Sequence, residues 1–280
     1  NLNLTDDDFF LLSIPISSMG GLMTLVKSLV SQSTLVIPDR HWKYCLSLPY
    51  SMHLTLVPQQ LPTFFESFSN SMQIKSILIG GDALPPNRIA ELCSLGIPFS
   101  LSYGLTETCG QVIATPFSLA PNETFELLPG VGLKCSKDGC LMINSMTLPY
   151  AYLMETGLKL VDTENGFFIT NDIVELSPFK FIGRVDFQFQ NGSKLVSPEL
   201  IEKTILTSGL IQHILIIPKQ DDRMGFVPFA FVDSLDHSDK LKDYCQSHLP
   251  IYLRPVGFDL LPTEFTFFSP NLRKKLLLFL

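Results

Sequence analysis

"IKSILIGGDALPPNRIAELCSLGIPFSLSYGLTE", Ile74 to Glu107, holds two short apolar runs separated by a helix-like segment. The first run closes on Gly80-Gly81, and the second opens into the polar crown "SYGLTETCG", Ser102 to Gly110. Between them "PPNRIAELCSLG" carries proline in a first helical turn and glycine at its end, as helices prefer. Strand–helix–strand in this order indicates a mostly parallel sheet with a crossover helix. Ligands of such sheets sit outside the carboxyl ends of the strands. Both polar turns fall at such ends, on consecutive strands. Asp82, Tyr103, Gly104, Thr106 and Glu107 therefore share one rim. Glycine lets a ligand approach the backbone closely. Tyr103 can stack on a flat ring, and Thr106 offers a hydroxyl. Glu107 suits a hard cation such as Mg²⁺, which takes few protein carboxylates. The bland alternative is that Gly80-Gly81 is a tight turn and nothing more.

Upstream, "FFLLSIPI" reads as a buried strand and "SSMGGLMTLVKSLVSQS" as a helix, with Leu22, Leu25 and Leu29 at helical spacing. Gly20-Gly21 reads as a site of close helix packing. "STLVIPD" is a short strand, "CLSLPYSMHLTLVP" holds another apolar run, and "QQLPTFFESFSNS" is helical. Past residue 110 the texture changes. Residues 111–182 offer short alternating strands separated by "PG", "KDG" and "TENG", which suits a small antiparallel barrel or sheet. Residues 187–280 combine "HILIIPKQDDRMGFVPFAFV" with the helical "DSLDHSDKLKDYCQSHLP" into a compact β-plus-α unit. The predicted fold class is α/β. Residues 1–182 form a large domain, with an α/β sheet over 1–110 and antiparallel β over 111–182. The boundary lies at 183–186, and a small α+β domain follows over 187–280.

Of the 280 residues 46% are hydrophobic, enough for one large core or two domains. No apolar run approaches 20 residues, so no membrane-spanning helix is expected. The net charge of −7 and the lack of a basic stripe speak against a general nucleic-acid binder. Six cysteines are scattered without CxxC pairs or zinc-ligand spacing. Cys135 and Cys140 flank a hairpin turn where a disulfide would fit, but without a signal-peptide pattern reduced thiols and a cytoplasmic location are expected. The start at Asn1, running straight into "LTDDDFFLLSIPI", reads like the middle of a longer protein.

Two further polar positions stand out. Asp172, in "FFITNDIVEL", follows an apolar run. It is either a turn carboxylate capping its own backbone or an acceptor for two ribose hydroxyls. Arg184, in "IGRVD", has a fixed fork that suits a ribose or phosphate. His53 either lines a pocket or packs, and packing is the commoner fate of such a residue. No Ser/His/Asp order or nucleophile elbow appears.

Taken in order, these segments resemble the adenylate-forming superfamily of acyl-CoA synthetases, peptide-synthetase adenylation domains and luciferases. "SYGLTET" is similar to its Tyr-Gly-x-Thr-Glu segment and "TNDIVEL" to its Thr-Gly-Asp segment. "IGRVDFQFQNGSKLVSPELIE" is similar to its hinge and the segment that follows. Within the superfamily, "LSIPISSMGGLMTLVKSL", "HLTLVPQQL", "ILIGGDALPP" and "GRVDFQFQNG" resemble the o-succinylbenzoate–CoA ligases of menaquinone biosynthesis. The resemblance covers essentially the whole chain.

It implies an acyl-adenylate made from ATP and a small-molecule carboxylic acid, then an acyl-CoA thioester. ATP, Mg²⁺ and coenzyme A are the implied cofactors, and a homodimer is compatible with the sequence. Thr106 would meet the phosphate and Glu107 would bind Mg²⁺. Gly81, Asp82, Ser102, Tyr103, Gly104, Asp172 and Arg184 would hold the nucleotide, with Tyr103 on adenine and Asp172 on the ribose. Ser18, His53 and Gly104 would line the acyl pocket. Asp186 would be the hinge about which a mobile small domain swings, within 183–186.

Three departures from the pattern count. The phosphate loop ending in lysine has no counterpart in these residues. Ser18 stands where such ligases commonly carry histidine. Pro270 stands at the adenylating lysine's position, with Lys274 and Lys275 close by. In addition, Asn191-Gly192-Ser193 replaces the usual Gly-Gly near the hinge. The implied ligase is therefore expected to be inactive as this chain alone. The alternative is a catalytically degenerate adenylating fold that keeps at most nucleotide or acyl-group binding.

Overall fold

A computed structural model describes residues 4–39, 41–69, 73–82, 84, 86–121, 124–266 and 272–279. The chain divides by contacts into two compact units. The first comprises 1–136, 141–170 and 176–179, the second 137–140, 171–175 and 180–280. The segment 183–186 lies within the second unit.

The first unit is built on strands β1 (Phe9–Leu11), β2 (Thr34–Val36), β3 (Met52–Leu56), β4 (Ile74–Ile79), β5 (Phe99–Leu105), β6 (Gly110–Ala114) and β7 (Glu126–Leu127). They form one sheet in the order β2-β1-β3-β4-β5-β6-β7. Pairing is parallel from β2 to β5 and antiparallel from β5 to β7. Three helices serve it: α1 (Met19–Ser31), α2 (Leu61–Ser67) and α3 (Pro86–Ser94). β4, α3 and β5 are the strand–helix–strand unit expected from the sequence. The core packs Leu54, Leu56, Ile77, Ile79, Phe99 and Leu101 of β3–β5 against Leu61, Phe64 and Leu92 of the helices.

Helix α1 corrects the apolar face read from its leucines. Its buried residues are Gly21, Thr24 and Ser28, whereas Leu22 is 42% and Leu29 67% exposed. Close approach decides the rotation: a Cβ at Gly21 would stand 2.2 Å from the Pro15 carbonyl oxygen. Gly20-Gly21 is the packing site that the sequence suggested.

Within the first unit's sheet lies a charged cluster. Asp8 and His53, 2% and 3% exposed, approach to 3.3 Å through Nε2. His53 Nδ1 meets Ser76 Oγ at 2.7 Å, Lys75 Nζ donates to Asp8, and the imidazole stacks on Phe10 at 5.0 Å. Burial alone would raise the Asp8 carboxyl, but hydrogen bonds from Lys75 and the Thr5 backbone, with the His53 imidazole close by, bring it down to about 2. Burial also lowers the His53 pKa, against the pull of Asp8 and with the help of Lys75 and Lys27. The ionised Asp8 thus contributes stability above its unfolded pKa, lost as pH falls from about 4 through about 2. Asp8→Asn is expected to lower the unfolding free energy at pH 7 by about 2 kcal/mol. Urea titrations at pH 7 and pH 3 check it, since the gap to the parent should narrow in acid.

Strands β8 (Val131–Cys135), β9 (Cys140–Ser145), β10 (Ala151–Met154), β11 (Gly157–Leu160), β12 (Thr163–Glu164), β13 (Phe167–Leu176) and β14 (Phe179–Arg184) supply the expected antiparallel region. β12-β13-β9-β8 form one sheet, with β14 also paired to β13, and β10-β11 form a separate hairpin. Through β9, β13 and β14 the chain passes between the two units.

The second unit is α+β. β15 (Phe189–Asn191), β16 (Lys194–Val196), β17 (Ile214–Asp221), β18 (Gly225–Val232) and β19 (Phe258–Leu260) form its sheet. Helices α4 (Pro198–Leu206), α5 (Ser238–His248) and α6 (Leu272–Phe279) complete it. Ile201 and Ile205 of α4 and Leu241 and Cys245 of α5 pack on Ile214, Ile216, Ala230 and Val232. The Asn191-Gly192-Ser193 stretch turns the chain between β15 and β16, with Gly192 at φ +59°. Cys45, Cys93, Cys109 and Cys245 carry free thiols. Among the described residues no helix is long and apolar enough to cross a membrane.

Candidate functional site

In the first unit the rim forms at the ends of β4 and β5. Two glycines let these strand ends interlock. A Cβ on Gly80 would stand 2.5 Å from Ser102 Oγ, which itself donates to the Ile79 carbonyl at 3.1 Å. Gly81 follows at φ +92°, and exposed Asp82 accepts from Gln59 Nε2 at 3.3 Å. The half-buried Tyr103 ring lies 5.2 Å from that of Phe179, which also meets Phe125 at 5.4 Å. The turn after β5 is a single 3-10 turn, Thr106–Thr108, that Thr108 ties from within. Its hydroxyl accepts the Leu105 amide at 2.9 Å and donates to the Gly110 carbonyl at 2.7 Å. Cys109 and Gly110 then reverse the chain at φ +53° and +101°. This puts Thr106 and Glu107 at the outer edge of the turn, where their side chains reach solvent.

Two residues from the β9–β10 region brace that edge. Thr147 donates to the Thr108 carbonyl at 2.8 Å, and Tyr152 donates to Glu107 Oε1 at 3.4 Å. Burial, then the Glu107 charge, push the Tyr152 phenol up. No group of three His, Cys, Asp or Glu residues among those described could hold a metal ion by itself. A lone reachable carboxylate such as Glu107 fits Mg²⁺ instead, since that ion is commonly held by one or two carboxylates together with substrate phosphates.

Ser18 and His53 occupy different settings. Ser18 caps α1, accepting the Gly21 amide at 3.2 Å and donating to the Pro15 carbonyl at 2.7 Å. His53 takes the packed of its two readings, inside the sheet with Asp8 and Ser76. Sequence reasoning missed Lys27. Its ammonium sits 3.4 Å from Gln111 Oε1, and burial lowers its pKa. On the same helix, Met23 lies against Gly110: a Cβ there would meet Met23 Cγ at 3.6 Å. A half-buried amine held against Gln111, just past the Thr106–Gly110 turn, is a ready partner for a carboxylate. A lysine at i+3 and i+6 from a helix's small buried residues, Thr24 and Gly21, was the available signal.

In the second unit Asp172 is 2% exposed and pairs with Arg184 Nη1 at 2.7 Å. Arg184 also holds Asp186, through Nε at 2.9 Å and Nη2 at 3.1 Å. Burial would raise the Asp186 carboxyl, but Arg184 and then Lys274 hold it below the usual range. Pro270 lies outside the described residues.

No family model matches the chain. It is similar to the 2-succinylbenzoate–CoA ligase of Bacillus subtilis, 25% identical over 92% of this chain and 58% of that protein. The Escherichia coli enzyme of the same name is 26% identical over 92% and 57%. The chain thus spans under three-fifths of the length of these curated relatives. Among solved structures it is similar to an E. coli MenE arginine-to-lysine variant with bound OSB-AMS, at TM-score 0.81 and 23% identity, covering 98% of this chain and 61% of that one. B. subtilis MenE with the acyl-adenylate intermediate OSB-AMP gives TM-score 0.76 at 23% identity, covering 93% and 58%. The same enzyme with ATP and magnesium gives 0.75 at 23%, covering 93% and 59%. The chain has the fold of the matching part of these structures.

Proposed function

We propose that a chain so similar to 2-succinylbenzoate–CoA ligases carries the nucleotide- and acid-binding elements of an AMP-forming acid–CoA ligase. The observation that carries this reading is the rim of Gly80, Gly81, Ser102, Tyr103, Gly104, Thr106 and Glu107. These residues stand at the adjacent ends of β4 and β5, in a chain 25% identical over 92% of its length to a ligase of that name.

In the proposed reaction the acid's carboxylate attacks the α-phosphorus of ATP, releasing pyrophosphate and leaving an acyl-adenylate. The coenzyme A thiol then displaces AMP. Each residue has an assigned part. The exposed face of Tyr103 stacks on adenine, an offset-ring contact worth about 1 kcal/mol beyond its buried area. Asp172 accepts from the ribose hydroxyls, and Arg184 contacts the ribose or phosphate. Thr106 donates to phosphate, and Glu107 would hold Mg²⁺, which would supply charge neutralisation at the phosphate. Such fixed charges and dipoles act where charge develops during phosphoryl transfer. A 2-succinylbenzoate has a second carboxylate, and Lys27, half-buried just past the turn, is assigned to it.

Calorimetric titration of the 280-residue chain with AMP and with 2-succinylbenzoate tests the reading. Both are expected to bind. Asp172→Ala should lose AMP and keep the acid. Lys27→Met should weaken the acid about tenfold, equivalent to about 1.4 kcal/mol, and spare AMP. Pyrophosphate release from ATP, Mg²⁺ and the acid is expected to stay at background for this chain, given Pro270 at the lysine position. Absence of saturable AMP binding would overturn the assignment.

A further inference from the structure

We propose that Lys274 and Asp186 are positioning residues for Arg184, so that helix α6 sets the guanidinium which pairs with Asp172. The inference rests on the nucleotide-binding reading of Asp172 and Arg184.

Four charges alternate along one path in the second unit. Lys274 Nζ stands 3.7 Å from Asp186 Oδ2. Asp186 grips one edge of the Arg184 fork, Oδ1 on Nε at 2.9 Å and Oδ2 on Nη2 at 3.1 Å. The remaining nitrogen, Nη1, is thereby turned to Asp172 at 2.7 Å. A two-point grip fixes the plane of a guanidinium, whereas a single contact leaves it free to rotate. Lys274 holds the carboxylate that makes the grip, so Asp186 is tied from both sides.

Phe187, next in the chain, lies beneath three cations. Arg273 is 4.7 Å, Arg184 5.6 Å and Lys274 5.9 Å from its ring centroid. Contacts of this range are cation–π attractions, and they place α6 and the Val185–Phe187 turn against each other. Leu272 and Leu276 anchor the helix at 7% and 0% exposure. Lys275 points elsewhere, since one residue advances a helix by about 100°. It is exposed and enters no ion pair among the described residues.

The Lys274 side chain is 57% exposed. Its effect on Arg184 is therefore that of a solvent-screened pair, at most about fivefold in an equilibrium constant. AMP affinity of the full chain, measured by calorimetry, is the readout. Lys274→Met is expected to weaken AMP about three- to fivefold, Lys274→Arg to restore it, and Lys275→Met to leave it unchanged. In an Arg184→Met background, Lys274→Met should have no further effect, which a merely structural role for the lysine would not produce. Wild-type binding with an unchanged Lys274→Met affinity would overturn the proposal. So would a Lys274 effect that survives the loss of Arg184. A wild-type chain that binds no AMP would remove the nucleotide reading itself, and this inference with it.

Discussion

Gly104→Ala is expected to abolish AMP binding and to destabilise the first unit by about 3 kcal/mol, the upper range for overpacking a tight site. Gly104 faces the returning strand β6, where the pairing is Gly104 with Gln111 and Leu105 with Gly110. A Cβ there would stand 1.8 Å from the Gly110 carbonyl oxygen, 2.4 Å from its carbon and 2.8 Å from Gln111 Cα. All three are backbone atoms, so no side chain can swing aside to make room. β6 would have to leave β5, and the Thr106–Gly110 turn would move with it. Thr106 and Glu107 would then lose their placement relative to Tyr103. Gly132→Ala is the internal control. Its Cβ would meet Asn144 Cβ at 3.7 Å, an ordinary contact, and a near-neutral result is expected. Urea unfolding and AMP titration of both variants decide the matter. Parent-like stability and affinity for Gly104→Ala would show that the strand yields freely.

The second large effect belongs to Arg273. Its guanidinium, 8% exposed, lies 3.2 Å from Glu199 Oε1, donates to Glu202 and donates through Nε to the Ile216 carbonyl at 3.1 Å. Glu202 also accepts the Ile216 amide. Burial raises the Glu202 pKa, and Arg273 is the main influence pulling it back down. Removing one partner of a buried ion pair leaves an uncompensated charge, at a cost of about 3–5 kcal/mol. Arg273→Met keeps much of the volume and removes the charge, so it is expected to destabilise the second unit by about that amount. The sign of its pH dependence follows from Glu202. With Arg273 gone, the folded pKa rises further above the unfolded value. The variant's deficit should therefore grow as pH climbs through the parent's folded Glu202 pKa, where the parent's carboxyl ionises against Arg273 and the variant's stays protonated. Denaturant unfolding at pH 5 and pH 7 reads this out. A smaller deficit at pH 7 than at pH 5 would refute it.

The candidate site was legible wherever chemistry and chain order coincide. Gly80-Gly81 and "SYGLTE" ended apolar runs, and runs ending in glycine and small polar residues became the ends of β4 and β5. Asp172 and Arg184 were legible as residue types, and the structure pairs them directly. The α1 face was misread because helical spacing of leucines normally marks a core-facing stripe. Here a backbone approach at Gly21 outweighs it, and the small residues turn inward.

The sequence by itself determined the order of strands and helices, the parallel character of the first sheet, and the polar crown that closes β5. Periodicity, turn residues and apolar runs are local properties, and local sequence carries them. Only the tertiary structure decided the partners of Lys27, Arg273 and Lys274. Lys27 meets Gln111 across 84 residues, and Arg273 meets Glu202 across 71. Such pairs form when packing brings distant segments together, and charge interactions depend on distance and burial, neither of which a linear chain records.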